Sequence, residues 1–182
     1  MNYAAIKLAD VANGPGVRVS LFVSGCTHRC PGCFNEQAQD FTCGRPFTRA
    51  EEDKLVAALA PAHIKGLSLL GGEPFEPDNQ RALLPLLRRV KAAHPDKEVW
   101  CYSGYILETE LWRDSRARCE VTDEMLSLLD VLVDGPFVQE QKDLNLRFRG
   151  SANQRILNVP VSIKARAPVL WDGDLTVRSI TI

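Results

Sequence analysis

GVRVSLFVSGCTHRCPGCFNE, residues 16 to 36, runs an apolar segment directly into a loop with three cysteines in eight positions. Val17, Val19, Leu21 and Val23 alternate along one face and Phe22 stands on the other, the pattern of a strand buried on both sides. Strands of that kind belong to parallel sheets covered by helices. The rest of the chain supports this. Thr48-Arg49-Ala50-Glu51 is a capping box opening a helix over EDKLVAALA that Pro61 stops. KGLSLLGGEP reads as a strand ending in a glycine turn. NQRALLPLLRRVKAAHP reads as a helix in which Pro85 marks either a kink or a late start. EVWCYSGY and DVLVDGPF read as two more strands, with helical stretches around LETELW and TDEMLSLLD between them. Strand alternating with helix predicts an α/β fold with right-handed crossovers. The last residues, APVLWDGDLTVRSITI, are expected to add one or two edge strands.

No repeat, low-complexity stretch or linker divides the 182 residues, so a single domain spanning 1–182 is expected, with its core at about 12–160 and a tail at 165–182. The composition, 45% hydrophobic and 25% charged, is that of an ordinary globular protein. The 22 Lys and Arg against 23 Asp and Glu give no basic field for a phosphate backbone, so no nucleic-acid partner is expected. With no apolar leader and no membrane-length run, a cytoplasmic protein with no membrane partner is expected. Six cysteines in that compartment point to metal binding or catalysis rather than a disulfide framework.

In parallel α/β sheets, ligands gather where the chain leaves the carboxyl ends of the strands. Each unusual motif falls at such a place: the cysteine loop, Gly71-Gly72-Glu73-Pro74, Tyr102-Ser103-Gly104-Tyr105 and Asp134-Gly135-Pro136-Phe137. Four loops should therefore meet on one rim. Cys26, Cys30 and Cys33, as thiolates, suit one face of an iron–sulfur cubane or three corners of a zinc tetrahedron, with Cys43 or His28 as a fourth zinc ligand. Structural zinc sites usually come as paired C-x2-C knuckles, and Cys43, Cys101 and Cys119 form none. A cluster with one open corner is the better fit. His28 reads as a neutral imidazole on a solvated loop, and His63 and His94 as surface residues. Cys101, Trp100 and Tyr102 read as packing residues, and the role of Arg18 stays open.

The C-x3-C-x2-C loop after a strand, with GGEP at the end of a following strand, resembles the signature of radical S-adenosylmethionine enzymes. GPGVR (14–18) resembles the segment before the cluster in glycyl-radical activases, and SGCTHRCPGCFN, WCYSGY, VLVDGPFV and RGSANQR narrow the resemblance to those that serve the anaerobic ribonucleoside-triphosphate reductase. Many members of the wider superfamily carry an aromatic residue just before the third cysteine. Here Gly32 precedes Cys33 and the aromatic Phe34 follows it, the form associated with that subgroup.

The resemblance implies an incomplete, open parallel β/α barrel. It implies one 4Fe-4S cluster on Cys26, Cys30 and Cys33, whose open iron takes S-adenosylmethionine. Gly32, Cys33 and Phe34 are expected near the adenosyl part and Gly71, Gly72 and Glu73 near the methionine part, with Glu73 either accepting from the ammonium or holding the turn. The implied reaction reduces the cofactor to methionine and a 5'-deoxyadenosyl radical, which takes hydrogen from a glycine of the reductase. A low-potential donor such as flavodoxin is expected. A chain this short leaves the site open-sided, so a protein substrate is expected to complete it. Asp134, Gly135, Arg149, Asn153 and Gln154 are the candidate docking residues. The competing readings are a pyruvate formate-lyase-type activase or another small enzyme of the superfamily, and an iron–sulfur or zinc carrier. RGSANQR argues against the former and GGEP against the latter.

Overall fold

The computed structural model describes residues 1–173. In chain order the elements are β1 (Asn2–Asp10), β2 (Val17–Val23), the short β3 (Arg45–Pro46), α1 (Arg49–Ala58), β4 (Ile64–Gly71), α2 (Pro77–Ala93), β5 (Glu98–Tyr102), α3 (Thr122–Ser127), β6 (Val131–Asp134), β7 (Arg155–Asn158) and α4 (Val159–Ala165). The strands form one sheet in the order β3-β1-β2-β4-β5-β6-β7. The central four, β2, β4, β5 and β6, are parallel, as their apolar runs predict. β1 and β7 flank them antiparallel, and β3 pairs antiparallel with β1. The fold is thus mixed α/β with a mostly parallel central sheet, and among the described residues the sheet does not close into a barrel. It also begins ahead of residue 12, where the core was expected to start, because β1 pairs with β2 from Tyr3 onward.

Alternation along the strands gives the sheet two unlike faces. Val19, Leu21 and Val23 of β2, Leu67 and Leu69 of β4, and Val99 and Cys101 of β5 join Leu55, Leu83, Leu87 and Met125 of the helices in the main core. On the other face the same strands present Arg18, Ser20, Ser68, Trp100 and Tyr102. Arg18 is fully buried there. Its guanidinium donates to the Ser68 hydroxyl at 2.8 Å and to the Leu67 and Glu98 carbonyls at 3.0 Å, and it lies over the Trp100 ring. This answers the question the sequence left about Arg18: it is a structural cation beneath the sheet.

Thr48 caps α1 with the expected box, Glu51 accepting from the Thr48 amide at 3.1 Å. Pro85 lies inside α2, so the late-start reading is corrected. The helix starts at Pro77, where a missing N–H costs no hydrogen bond. The stretch around LETELW is a single π-helical turn, Leu107–Leu111. In the tail, Leu170 makes an isolated bridge with Leu157, and the remaining expected strand falls on residues 174–182, outside the described residues. Among the described residues no helix is long and apolar enough to cross a membrane.

Candidate functional site

The loops leaving β2, β4, β5 and β6 do meet. They line a cavity of about 510 Å³ in which Cys26, Cys30 and Cys33 face Gly71, Gly72 and Ser103, with Gly135 and Phe137 beside them. Residues between Phe137 and Gly150 line part of it, among them Leu144, which is almost fully exposed, as is Phe34, another lining residue. A second hollow of about 640 Å³ is lined by the same three cysteines together with Glu36, Asp40 and Phe41. The three cysteines thus border both spaces.

Burial pushes the Cys26 thiol up to about 12, with the Glu73 and Glu76 carboxylates adding to the rise and the His28 amide opposing it. Burial raises Cys30 as well. A soft metal centre would take these groups as thiolates and release their protons. Among the described residues no three His, Cys, Asp or Glu side chains are grouped so as to hold one metal ion. Three soft donors spaced round a roomy hollow fit a cluster with several irons. Within the loop the Cys33 amide closes onto the Cys30 carbonyl at 3.2 Å, and Gly32 takes a left-handed conformation at φ 69°.

The glycine turn after β4 is packed into protein. Gly71 has φ 114°, and a Cβ there would come within 2.6 Å of the Val23 backbone. The Gly72 amide donates to the Val23 carbonyl at 2.7 Å and the Glu73 amide to the Gly25 carbonyl at 2.8 Å, so the turn is tied to the root of the cysteine loop. Glu73 is buried. One carboxylate oxygen accepts from the Phe75 amide at 2.8 Å and the Ser103 hydroxyl at 2.9 Å. The other accepts from the Gly104 amide at 2.7 Å and pairs with His28 Nε2 at 3.1 Å. A carboxylate has about four acceptor sites, and these four partners occupy them. These contacts are the turn-holding ones of its two expected roles.

His28 is not the solvated imidazole the sequence suggested. Its side chain is only 10% exposed, is bonded to Glu73, and its ring centroid lies 4.2 Å from that of Tyr105. The correction has a non-local cause: GGEP and the β5 loop fold over His28, which no local pattern between two cysteines can reveal. Thr27 was missed for the same reason. Its amide and hydroxyl both donate to Glu76 Oε1, at 2.8 and 2.6 Å. His94, expected at the surface, is half-buried and meets the Val56 carbonyl at 2.8 Å, whereas His63 is exposed.

The expected docking residues hold one another. Asp134 is fully buried, which corrects its place on a surface. It accepts from the Leu107 amide at 3.0 Å and from Arg155 at 2.9 and 2.5 Å, because a carboxylate at the end of an internal strand needs a cation and an amide to be buried there. Gln154 donates to the Gly135 carbonyl at 3.0 Å, Asn153 to the Pro136 carbonyl at 2.8 Å, and Arg149 to the Gln154 carbonyl at 2.8 Å. RGSANQR thus clasps the turn after β6. Arg149 and Gln154 line the cavity. Tyr102, expected only to pack, lines it too, and its buried hydroxyl has no partner among the described residues. Cys101 sits in the core as expected.

Comparison with known proteins agrees with this geometry. The family described as 4Fe-4S single cluster domain matches residues 12–157. A relative from Vibrio cholerae serotype O1, named anaerobic ribonucleoside-triphosphate reductase-activating protein, is 48% identical over 158 residues, 86% of this chain and 97% of its own. Proteins of the same name from Escherichia coli K12 and from Enterobacteria phage T4 are 46% and 38% identical over 156 residues. Those matches cover 85% and 86% of this chain, and 96% and 93% of theirs.

Proposed function

The chain belongs to the 4Fe-4S single-cluster family and, within it, to the anaerobic ribonucleoside-triphosphate reductase-activating proteins, and from that premise we propose how its residues carry out the activation. It is an activating enzyme, and its protein substrate in this reading is the anaerobic ribonucleoside-triphosphate reductase. With cluster and cofactor bound, the chemistry supplied is one-electron cleavage of S-adenosylmethionine to methionine and a 5'-deoxyadenosyl radical, which takes hydrogen from a glycine of the reductase and leaves a glycyl radical there.

The observation that carries the reading is the one cavity shared by the three cysteines and the glycine turn after β4. Cys26, Cys30 and Cys33 line the same cavity as Gly71, Gly72 and Glu73, so a cluster held by the thiols would turn its open iron into the space bounded by the glycine turn. The thiols bind the cluster. The backbone of Gly71, Gly72 and Glu73 meets the methionine part of the cofactor, and Gly32, Cys33 and Phe34 lie toward its adenosyl part. The Glu73 side chain serves by keeping its own turn in place. The open sheet is read as an incomplete barrel of the radical S-adenosylmethionine type, a single domain over 1–182, working in the cytoplasm with a low-potential donor such as flavodoxin and with no nucleic acid or membrane partner.

The reductase is proposed to dock over the lip formed by the turn after β6 and by RGSANQR. Gly135, Arg149, Asn153 and Gln154 shape that surface, with Asp134 anchoring it from below. The exposed Leu144 and Phe34 at the cavity mouth support an opening completed by a partner. The test is anaerobic: protein reconstituted with iron and sulfide is reduced and given S-adenosylmethionine with and without the reductase, and 5'-deoxyadenosine is quantified. Release of 5'-deoxyadenosine that depends on Cys26, Cys30 and Cys33 supports the reading. Zinc in place of iron and sulfide overturns it.

A further inference from the structure

Two carboxylates from the turn after β4 reach into the cysteine loop and grip consecutive residues between Cys26 and Cys30. Glu76 accepts from both the amide and the hydroxyl of Thr27, and Glu73 pairs with the His28 imidazole. Glu73 and Glu76 are buried, at 1% and 5% exposure, and among the described residues neither pairs with a Lys or Arg. Burying an anion without a cation is unfavourable unless hydrogen bonds satisfy it, so these bonds fix both the loop and the turn. The loop after β5 completes the arrangement. Gly104 donates to Glu73, and a Cβ on Gly104 would lie 2.7 Å from the His28 ring, so this glycine makes room for the imidazole.

Resting on the function proposed above, we propose that His28 and Thr27 are positioning residues. Gripped by Glu73 and Glu76, they set the open side of the cluster loop against the turn that receives S-adenosylmethionine. The cysteines alone hold the cluster. The grip decides whether the cofactor finds the open iron in register, the role that partners of metal ligands play when they orient those ligands. Cofactor affinity and cluster retention should therefore separate on substitution.

The experiment compares the wild type with His28→Leu, His28→Gln and Gly104→Ala, all reconstituted with iron and sulfide. Iron and sulfide per chain, S-adenosylmethionine affinity by equilibrium dialysis, and the electron paramagnetic resonance spectrum of the reduced cluster with and without S-adenosylmethionine are measured. His28→Leu and Gly104→Ala are expected to keep the iron of the wild type but to bind S-adenosylmethionine about tenfold or more weakly, and their spectra should scarcely respond to it. His28→Gln keeps a donor near Nε2 and should recover most of the affinity. The inference is overturned if His28→Leu stays within about twofold of the wild type, if His28→Gln is no better than His28→Leu, or if both His28→Leu and Gly104→Ala lose their iron. Absence of any response in the wild type overturns the function on which the inference rests, and is distinguishable because it needs no variant.

Discussion

Gly72 lies against Gly25 with no room for a side chain between them: a Cβ on Gly72 would stand 2.4 Å from the Gly25 carbonyl oxygen and 2.7 Å from that of Ala38. The glycine pair therefore brings the turn after β4 onto the root of the cysteine loop. Gly72→Ala must push the two apart. It is expected to destabilise the fold by about 1–3 kcal/mol, as overpacking does, and to weaken S-adenosylmethionine binding as well. Urea denaturation and equilibrium dialysis check the two effects.

The buried Asp134 depends on Arg155, which also binds Glu108 at 2.9 and 2.7 Å. Arg155→Met leaves the Asp134 carboxylate buried without its cation and should cost about 3–5 kcal/mol in chemical denaturation. The exposed pair of Arg88 and Glu124 gives the contrast, since breaking it should change stability by less than about 1 kcal/mol. An equal effect from both pairs would contradict the assignment.

Glu108 also predicts a pH dependence. Its bond to Arg155 holds its carboxyl below the ordinary glutamate value of 4.5. A group depressed in the folded state contributes stability that is full above its unfolded pKa and is lost as pH falls through the folded value. The contribution should therefore be constant above about pH 5.5 and decline below about pH 4.5. Glu108→Gln should show a shallower loss of stability on the acid side than the wild type, measured by denaturation between pH 3 and 6.

Among the six cysteines only Cys26, Cys30 and Cys33 should matter for iron. Alanine at any of the three is expected to abolish stable cluster, read as iron and sulfide per chain. Alanine at Cys43 or Cys119 should leave the iron content unchanged. Cys101 is buried in the core, so Cys101→Ala should keep iron while lowering stability by about 1 kcal/mol for its lost packing.

The four parallel strands were legible because each carries closely spaced apolar residues and ends in a turn motif, even where β2 and β4 bury Arg18, Ser20 and Ser68 among them. β1 was not. NYAAIKLAD is mostly half-buried or exposed, and its partnership with β2 is set by pairing across the intervening loop rather than by its own pattern. β7 escaped for a different reason, being only the four residues RILN with an Arg at its start whose partner lies on another strand.

The site divides in the same way. Cys26, Cys30 and Cys33 carry their chemistry in residue type and spacing, the rim follows from the strand ends, and GGEP took its cofactor role from the family resemblance. The roles of Thr27, His28, Glu76 and Gly104 come from contacts between segments tens of residues apart. A histidine between two cysteines looks like a solvated bystander until the turn bearing Glu73 is folded onto it. Asp134 was misplaced by the same limit, since nothing in VDGPF announces Arg155.

The most direct test of the account is the electron paramagnetic resonance spectrum of the anaerobic ribonucleoside-triphosphate reductase after incubation with this protein, reduced in the presence of S-adenosylmethionine. The account predicts a doublet glycyl-radical signal on the reductase that requires the reductase, the cofactor and all three of Cys26, Cys30 and Cys33. Cleavage of S-adenosylmethionine with no radical appearing on the reductase, or the same signal from a Cys30→Ala variant, would contradict it.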